Sequence, residues 1–292
     1  MNDYIITCTT TCDLSKEHLE KNNNPYVHFK FFINDDKHLD DFYSEISKDD
    51  FYSLIKSNDS KTSQPDPEEY VNMFDKILSE GKDVLHLELS TGISGAFNSA
   101  TIAKDMIKVK YPDRKIYVLD TLLASAGYGL LLDIANKKKA EGMNINDLYN
   151  LLQNIKLNVS SFVYTNDLSQ LIKGGRVSKT AGAIGKLLNI VPIIIVNKEG
   201  KLEVIDKIRG RKNAINYIID QIKKNYTGEF IKGFYISNSN CPELANEAVA
   251  RIKEEIEGIT DNDIHQYDIG TVIGTHTGMG TVAIFYYGEG RI

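Results

Sequence analysis

A short apolar alternation followed at once by a helical period recurs along this chain, and that repeated order narrows the possible folds most. "YIIT" (4–7) reads as a first strand, and "VLHLEL" (84–89) and "KIYVLD" (115–120) read as buried ones. Each of the last two is followed by a helical pattern. Phe97, Ala100, Ala103 and Ile107 share one face of the first. "TLLASAGYGLLLDIANKKKA" (121–140) keeps small residues on one side of the second, and "NINDLYNLLQNI" (144–155) is amphipathic. Ahead of them, "YVHFKFFI" (26–33) is strand-like and a short amphipathic helix runs near Asp49–Lys56. Residues 60–66 read as a loop leading into a helix with Pro67 in its first turn and Gly81 just past its end. This order predicts a mostly parallel, helix-covered sheet.

From about Asn158 the pattern changes. "SSFVYT" (160–165) is a strand, and residues 172–190 are glycine-rich and partly helical. Residues 191–208 read as a hairpin turning near Glu199 and Gly200. A helix (211–225), a strand (230–237), a helix (242–257), a strand (263–267), a glycine-rich loop and a last strand (281–287) follow. The expected fold class is α/β with two α/β domains, 1–157 and 158–292. The first carries the parallel sheet, and the second a mixed sheet with the hairpin.

Length and composition fit this reading. The chain has 292 residues, 42% hydrophobic and 25% charged, enough to bury a sizeable core. Its net charge of −6 argues against a nucleic-acid or acidic-membrane footprint. The three cysteines, Cys8, Cys12 and Cys241, give no disulfide framework and suit a reducing compartment. No signal-peptide pattern opens the chain and no run approaches membrane-spanning length, so a cytoplasmic location is expected. The six histidines and three cysteines show no metal-ligand spacing, so no metal is expected.

The stretch "ELSTGISGAFNSA" (88–100) joins a strand to a helix start through hydroxyls and glycines. Such a turn offers free N–H groups and the positive end of a helix dipole to an anion. It lacks the lysine of a phosphate loop and the Gly-x-Gly-x-x-Gly of a dinucleotide turn, which argues against a nucleotide. Gly92, Ser94 and Ala96 come close to the small-residue spacing of a nucleophile elbow, and Asp268 and His276 follow in triad order. Ser94 with His276 is therefore one reading, a serine esterase. The other is a carboxylate held by hydroxyls and backbone N–H groups, with a histidine or arginine favouring the charged form. "GKLLNIVPIIIV" and "TVAIFYY" would line an apolar tunnel for its tail.

Several motifs in order along the chain make a further point. "KTSQP" (61–65), "LSTGISGAFNSA" (89–100), "DTLLASAGYG" (120–129), "LIKGGRVSKTAGAIGKLLNIVPII" (171–194), "KIRGRK" (207–212) and "IGTHTGMG" (273–280) resemble those of the DegV family. Characterised members of that family include the fatty-acid-binding subunits of bacterial fatty acid kinase. The resemblance implies one long-chain fatty acid such as palmitate, held between the two domains. It implies that Thr62, Ser94 and the Gly95 N–H hold the carboxylate, with His276 and Arg176 near the head group. Arg209 matches a basic position implicated in kinase docking or acyl-phosphate handling. The chain itself would be a non-catalytic carrier without cofactor. ATP and magnesium would belong to the ATP-binding kinase subunit, and an acyltransferase would act downstream in phospholipid synthesis. Membrane contact would be transient at most. A sensor or carrier of another lipid is a third reading. The chain departs from the family pattern in three places. Thr9 stands where the opening motif has an acid, Met279 lies between Gly278 and Gly280, and Val191 precedes the strand proline.

Overall fold

The computed structural model describes residues 3–178 and 189–291. The first part of the chain runs β1 (Tyr4–Thr9), α1 (Lys16–Lys21), β2 (Tyr26–Val27), β3 (Lys30–Ile33), β4 (Asp36–Leu39), α2 (Lys48–Ser57), β5 (Ser60–Ser63), α3 (Pro67–Ser79), β6 (Asp83–Glu88), α4 (Ala96–Lys108), β7 (Ile116–Asp120), α5 (Ser125–Ala140) and α6 (Ile145–Ile155). Then come β8 (Val159–Tyr164), α7 (Ser169–Lys173), β9 (Ile190–Val196), β10 (Leu202–Arg209), α8 (Arg211–Asn225), β11 (Phe234–Asn238), α9 (Pro242–Glu255), β12 (Ile264–Asp268), α10 (Thr271–Thr277) and β13 (Val282–Tyr287).

The expected α/β class holds. Strands β2-β1-β6-β7 form a parallel sheet. Their near-continuous apolar runs are buried because helices cover such a sheet. Strands β10-β9-β8-β13-β11-β12 form a six-stranded mixed sheet in which β11 and β12 pair in parallel and the other neighbours antiparallel. The β9–β10 hairpin turns at Asn197–Lys201, with Gly200 at φ +73°, a conformation that suits glycine. Helix α5 packs against β8, β11 and β13, so the first part of the chain covers one face of the second sheet.

Four local readings need correction. The strand-like run 26–33 is two strands broken at His28 and Phe29: β2 pairs with β1, and β3 joins a small antiparallel sheet, β4-β3-β5. The loop read at 60–66 contains β5, whose polar residues pair with β3 and so hide their extended state from a hydrophobicity pattern. Helix α5 starts at Ser125, four residues after the start of the helical run, because Leu122 at φ 53° and Ser125 at φ 55° turn the chain first. The glycine-rich segment before the last strand is the helix α10. Its Gly274 lies against α2, where a Cβ would come within 2.8 Å of the Tyr52 hydroxyl. Much of the glycine-rich reading at 172–190, including most of "GKLLNI", lies outside the described residues.

Candidate functional site

The loop after β6 rests on a buried polar network. Glu88 accepts from the Leu89 N–H (2.7 Å), from Tyr70 Oη (2.6 Å) and from Thr9 Oγ1 (3.3 Å), and pairs with His86 Nε2 (3.1 Å). His86 and Glu88 are both fully buried, so these bonds replace lost water. No acid stands at Thr9, yet a carboxylate from the neighbouring strand lies beside that residue.

Beyond Leu89 the loop turns against the second sheet. Ser90 Oγ donates to the Gly200 carbonyl (2.8 Å) and accepts from the Gly92 N–H (3.0 Å). No side chain fits between the two segments: a Cβ on Gly92 would lie 2.5 Å from the Gly200 oxygen. The Ile93 and Ser94 N–H groups bond back to the Ser90 carbonyl, and Ser94 Oγ accepts from the Ala96 N–H (3.2 Å) at the start of α4. Ser94 thus sits at the N-terminus of a 13-residue helix, where an anion is favoured.

His276 lies near the C-terminus of α10. Two buried carboxyls hold the other end of this helix: Asp13 accepts from the Gly270 N–H (3.0 Å), and Asp40 from the Thr271 N–H (3.1 Å) and Oγ1 (2.8 Å). Burial pushes both carboxyls up from their usual range. His276 Nε2 is hydrogen-bonded to Thr62 Oγ1 on β5 at 2.8 Å. Its Nδ1 edge lies over Gly174, where a Cβ would stand 2.2 Å away. Burial and the positive charge of Arg176 lower the imidazole to about 4, so it is neutral near pH 7. Arg176 donates to the carbonyls of Ile93 (3.2 Å) and Gly174 (2.5 Å), and among the described residues no carboxylate pairs with it.

Thr62, Ser94, Gly95, Arg176 and His276 all line one cavity of about 300 Å³. Gln64 joins them; its amide donates to Ser99 Oγ (2.8 Å). The rest of the lining is mainly apolar and comes from both parts of the chain, including Phe29, Leu89, Val163, Ile194, Leu202 and Phe285. The cavity therefore pairs an electropositive, hydroxyl-lined end with an apolar body. Arg209 is not part of it; it is exposed at the end of β10. The triad reading does not assemble. Asp268 pairs with Lys48 Nζ at 2.7 Å, and His276 Nε2 is engaged by Thr62. Among the described residues no group of three His, Cys, Asp or Glu is arranged to hold a metal ion, and no helix is long and apolar enough to cross a membrane.

Fold and site together define a class: an α/β protein in which both parts of the chain enclose an apolar cavity with an electropositive end. The particular family is settled by comparison. The family described as "Uncharacterised protein, DegV family" matches residues 5–289, and the chain belongs to it. A DegV domain-containing protein of Clostridium perfringens is 31% identical over 290 residues, 99% of this chain and 99% of that protein. A DegV lipid-binding protein from Thermotoga maritima superposes with a TM-score of 0.84 at 26% identity, over 99% of this chain and 100% of that one. A second Thermotoga maritima protein, whose structure is described as revealing fatty acid binding function, gives a TM-score of 0.82 at 26% identity, over 98% and 99%.

Sequence reasoning did not single out Gln64 or Ser125, and it read Gly92 and Gly200 separately, in an elbow and in a hairpin turn, without the close approach between them. Gln64 and Ser125 lay inside quoted motifs, but nothing in the motif shows which side chains face a cavity.

Proposed function

We propose that this chain binds a long-chain fatty acid, with its carboxylate at the Thr62–Ser94 end of the cavity and its acyl tail in the apolar body. The observation that carries this reading is the Thr62–His276 hydrogen bond beside an arginine that has no carboxylate partner among the described residues, at one end of an apolar cavity. A half-buried guanidinium that donates to neutral carbonyls favours an anionic ligand. The hydroxyls of Thr62 and Ser94 and the Gly95 N–H donate to the carboxylate oxygens. A neutral His276 donates its Nε2–H to Thr62 Oγ1, which leaves the Thr62 proton free for the carboxylate, and Arg176 supplies the field. Each buried methylene adds about 0.8 kcal/mol gross.

In this reading the chain is a carrier and performs no chemistry of its own. It presents the carboxylate to the ATP-binding subunit of a fatty acid kinase. That subunit brings ATP and magnesium and makes the acyl phosphate, which an acyltransferase then uses for phospholipid synthesis in the cytoplasm. Phosphoryl transfer depends on positioning and charge stabilisation, which a fixed carboxylate provides. Arg209, exposed outside the cavity, serves the docked kinase or the acyl phosphate.

Native mass spectrometry after mild purification tests the reading. A retained species of fatty-acid mass supports it. A ligand-free protein that labels stoichiometrically with a serine-reactive fluorophosphonate overturns it in favour of an esterase built on Ser94.

A further inference from the structure

Helix α5 carries a glycine, Gly127, in its first turns, where alanine would favour the helix by about 1 kcal/mol. Its φ is not positive, so backbone conformation does not require it. What requires it is Phe285: a Cβ on Gly127 would lie 2.3 Å from Cδ1 and 2.7 Å from Cε1 of that ring. The ring is seated in the notch of the glycine, and it also lines the cavity.

The strand register shows which part of the cavity this is. Thr281 Oγ1 donates to the Thr277 carbonyl (3.2 Å), next to His276, and so marks the polar end. Thr281, Ala283 and Phe285 are alternate residues that all line the cavity. Phe285 is four residues from Thr281, about 13 Å further along the strand. Val163 lies opposite Ala283 and is paired with Ile194. One step further from the head group, Phe285 lies opposite Ser161, whose Oγ accepts from the Val196 N–H (2.9 Å), and Val196 pairs with Leu202. Phe285 thus belongs to the last cavity-lining row of the sheet. Helix α5 backs the ring, β8 and β11 flank it, and the cavity is its open side. The helix cannot simply retreat, because Ser125 Oγ is bonded to Asp13 (2.5 Å) and Ser237 (2.8 Å).

We propose that Phe285, held back by Gly127, is the stop that sets the longest acyl chain the cavity accepts. The inference rests on the fatty-acid reading above and adds its specificity determinant. A methyl group at position 127 pushes the ring toward the head group and shortens the space; a smaller side chain at 285 lengthens it.

The test uses the delipidated full chain and a series of straight saturated acids, from decanoate through laurate, myristate and palmitate to stearate, measured by displacement of a fluorescent fatty acid. Gly127→Ala should weaken the longest acids relative to myristate by on the order of tenfold, the value of one to two methylenes left without a place. Phe285→Leu should shift the preference toward longer acids. The double variant should return toward the wild-type profile, because the smaller side chain makes room for the methyl. A folded Gly127→Ala protein that keeps the wild-type rank order overturns the inference, as does Phe285→Leu with an unchanged series or a double variant with the profile of Gly127→Ala alone. A wild-type protein that binds no member of the series overturns the fatty-acid reading itself, and this inference with it.

Discussion

Replacing His276 by Gln removes a titrating imidazole and keeps an amide able to meet Thr62. The unfolded imidazole takes up its proton near 6.5, whereas in the folded protein burial and the Arg176 charge hold it down to about 4. Between those values the unfolded state binds more protons, so His276 makes the fold lose stability as pH falls and regain it as pH rises. Above about 6.5 both states are neutral and the contribution is flat. Integrated from neutral pH to about 4, the loss amounts to roughly 3 kcal/mol. Urea unfolding followed by circular dichroism at a series of pH values measures it, and the difference between wild type and His276→Gln isolates this residue from the carboxyls that titrate in the same range. The wild type should lose about 3 kcal/mol more than the variant on acidification. Parallel pH profiles for the two proteins would refute the claim that the imidazole is held neutral by its surroundings. The same logic reaches the ligand. A carboxylate bound beside His276 favours the imidazolium, so binding from mildly acidic buffer should take up a fraction of a proton, measurable by calorimetry in buffers of different ionisation enthalpy.

Three further outcomes are expected. Thr62→Ala and Ser94→Ala each remove a donor to a charged ligand and should weaken palmitate by about tenfold to a hundredfold in a displacement assay; two variants that bind like wild type would refute the head-group assignment. Gly92→Ala puts a methyl group 2.5 Å from the Gly200 oxygen and should cost about 1–3 kcal/mol, read as a thermal midpoint lowered by several degrees; an unchanged midpoint would mean that the loop is free to lift from the hairpin. Arg209→Ala should leave palmitate affinity within about twofold, since Arg209 is outside the cavity, and should lower acyl-phosphate formation when the ATP-binding kinase subunit is added; unchanged turnover would remove Arg209 from the partner surface.

The parts of the fold that were legible in the sequence are those with a strong local period. Strand β6, helix α4, helix α8 and the β9–β10 hairpin bury one face or both, and burial leaves a pattern. Strand β5 and helix α10 left none. The first is polar and is extended because β3 pairs with it, and the second is a seven-residue glycine-bearing helix whose first turn is held by Asp13 and Asp40. The site shows the same division. The hydroxyls and basic groups were visible as residue types at turns. That Thr62 meets His276, that Arg176 lies near that imidazole, and that Asp268 turns instead to Lys48 are tertiary facts that no local spacing encodes.

The Thr62–His276 contact joins residues 214 positions apart. A ribosome makes the chain from its first residue onward, so Thr62 and Ser94 emerge long before the imidazole that completes their site. Until β13 and α10 have followed, the cavity lacks Ala283, Phe285 and His276. A chain that has not yet gained α10 and β13 therefore lacks one side of the cavity, and the site proposed above is complete only once both have folded against the rest of the chain.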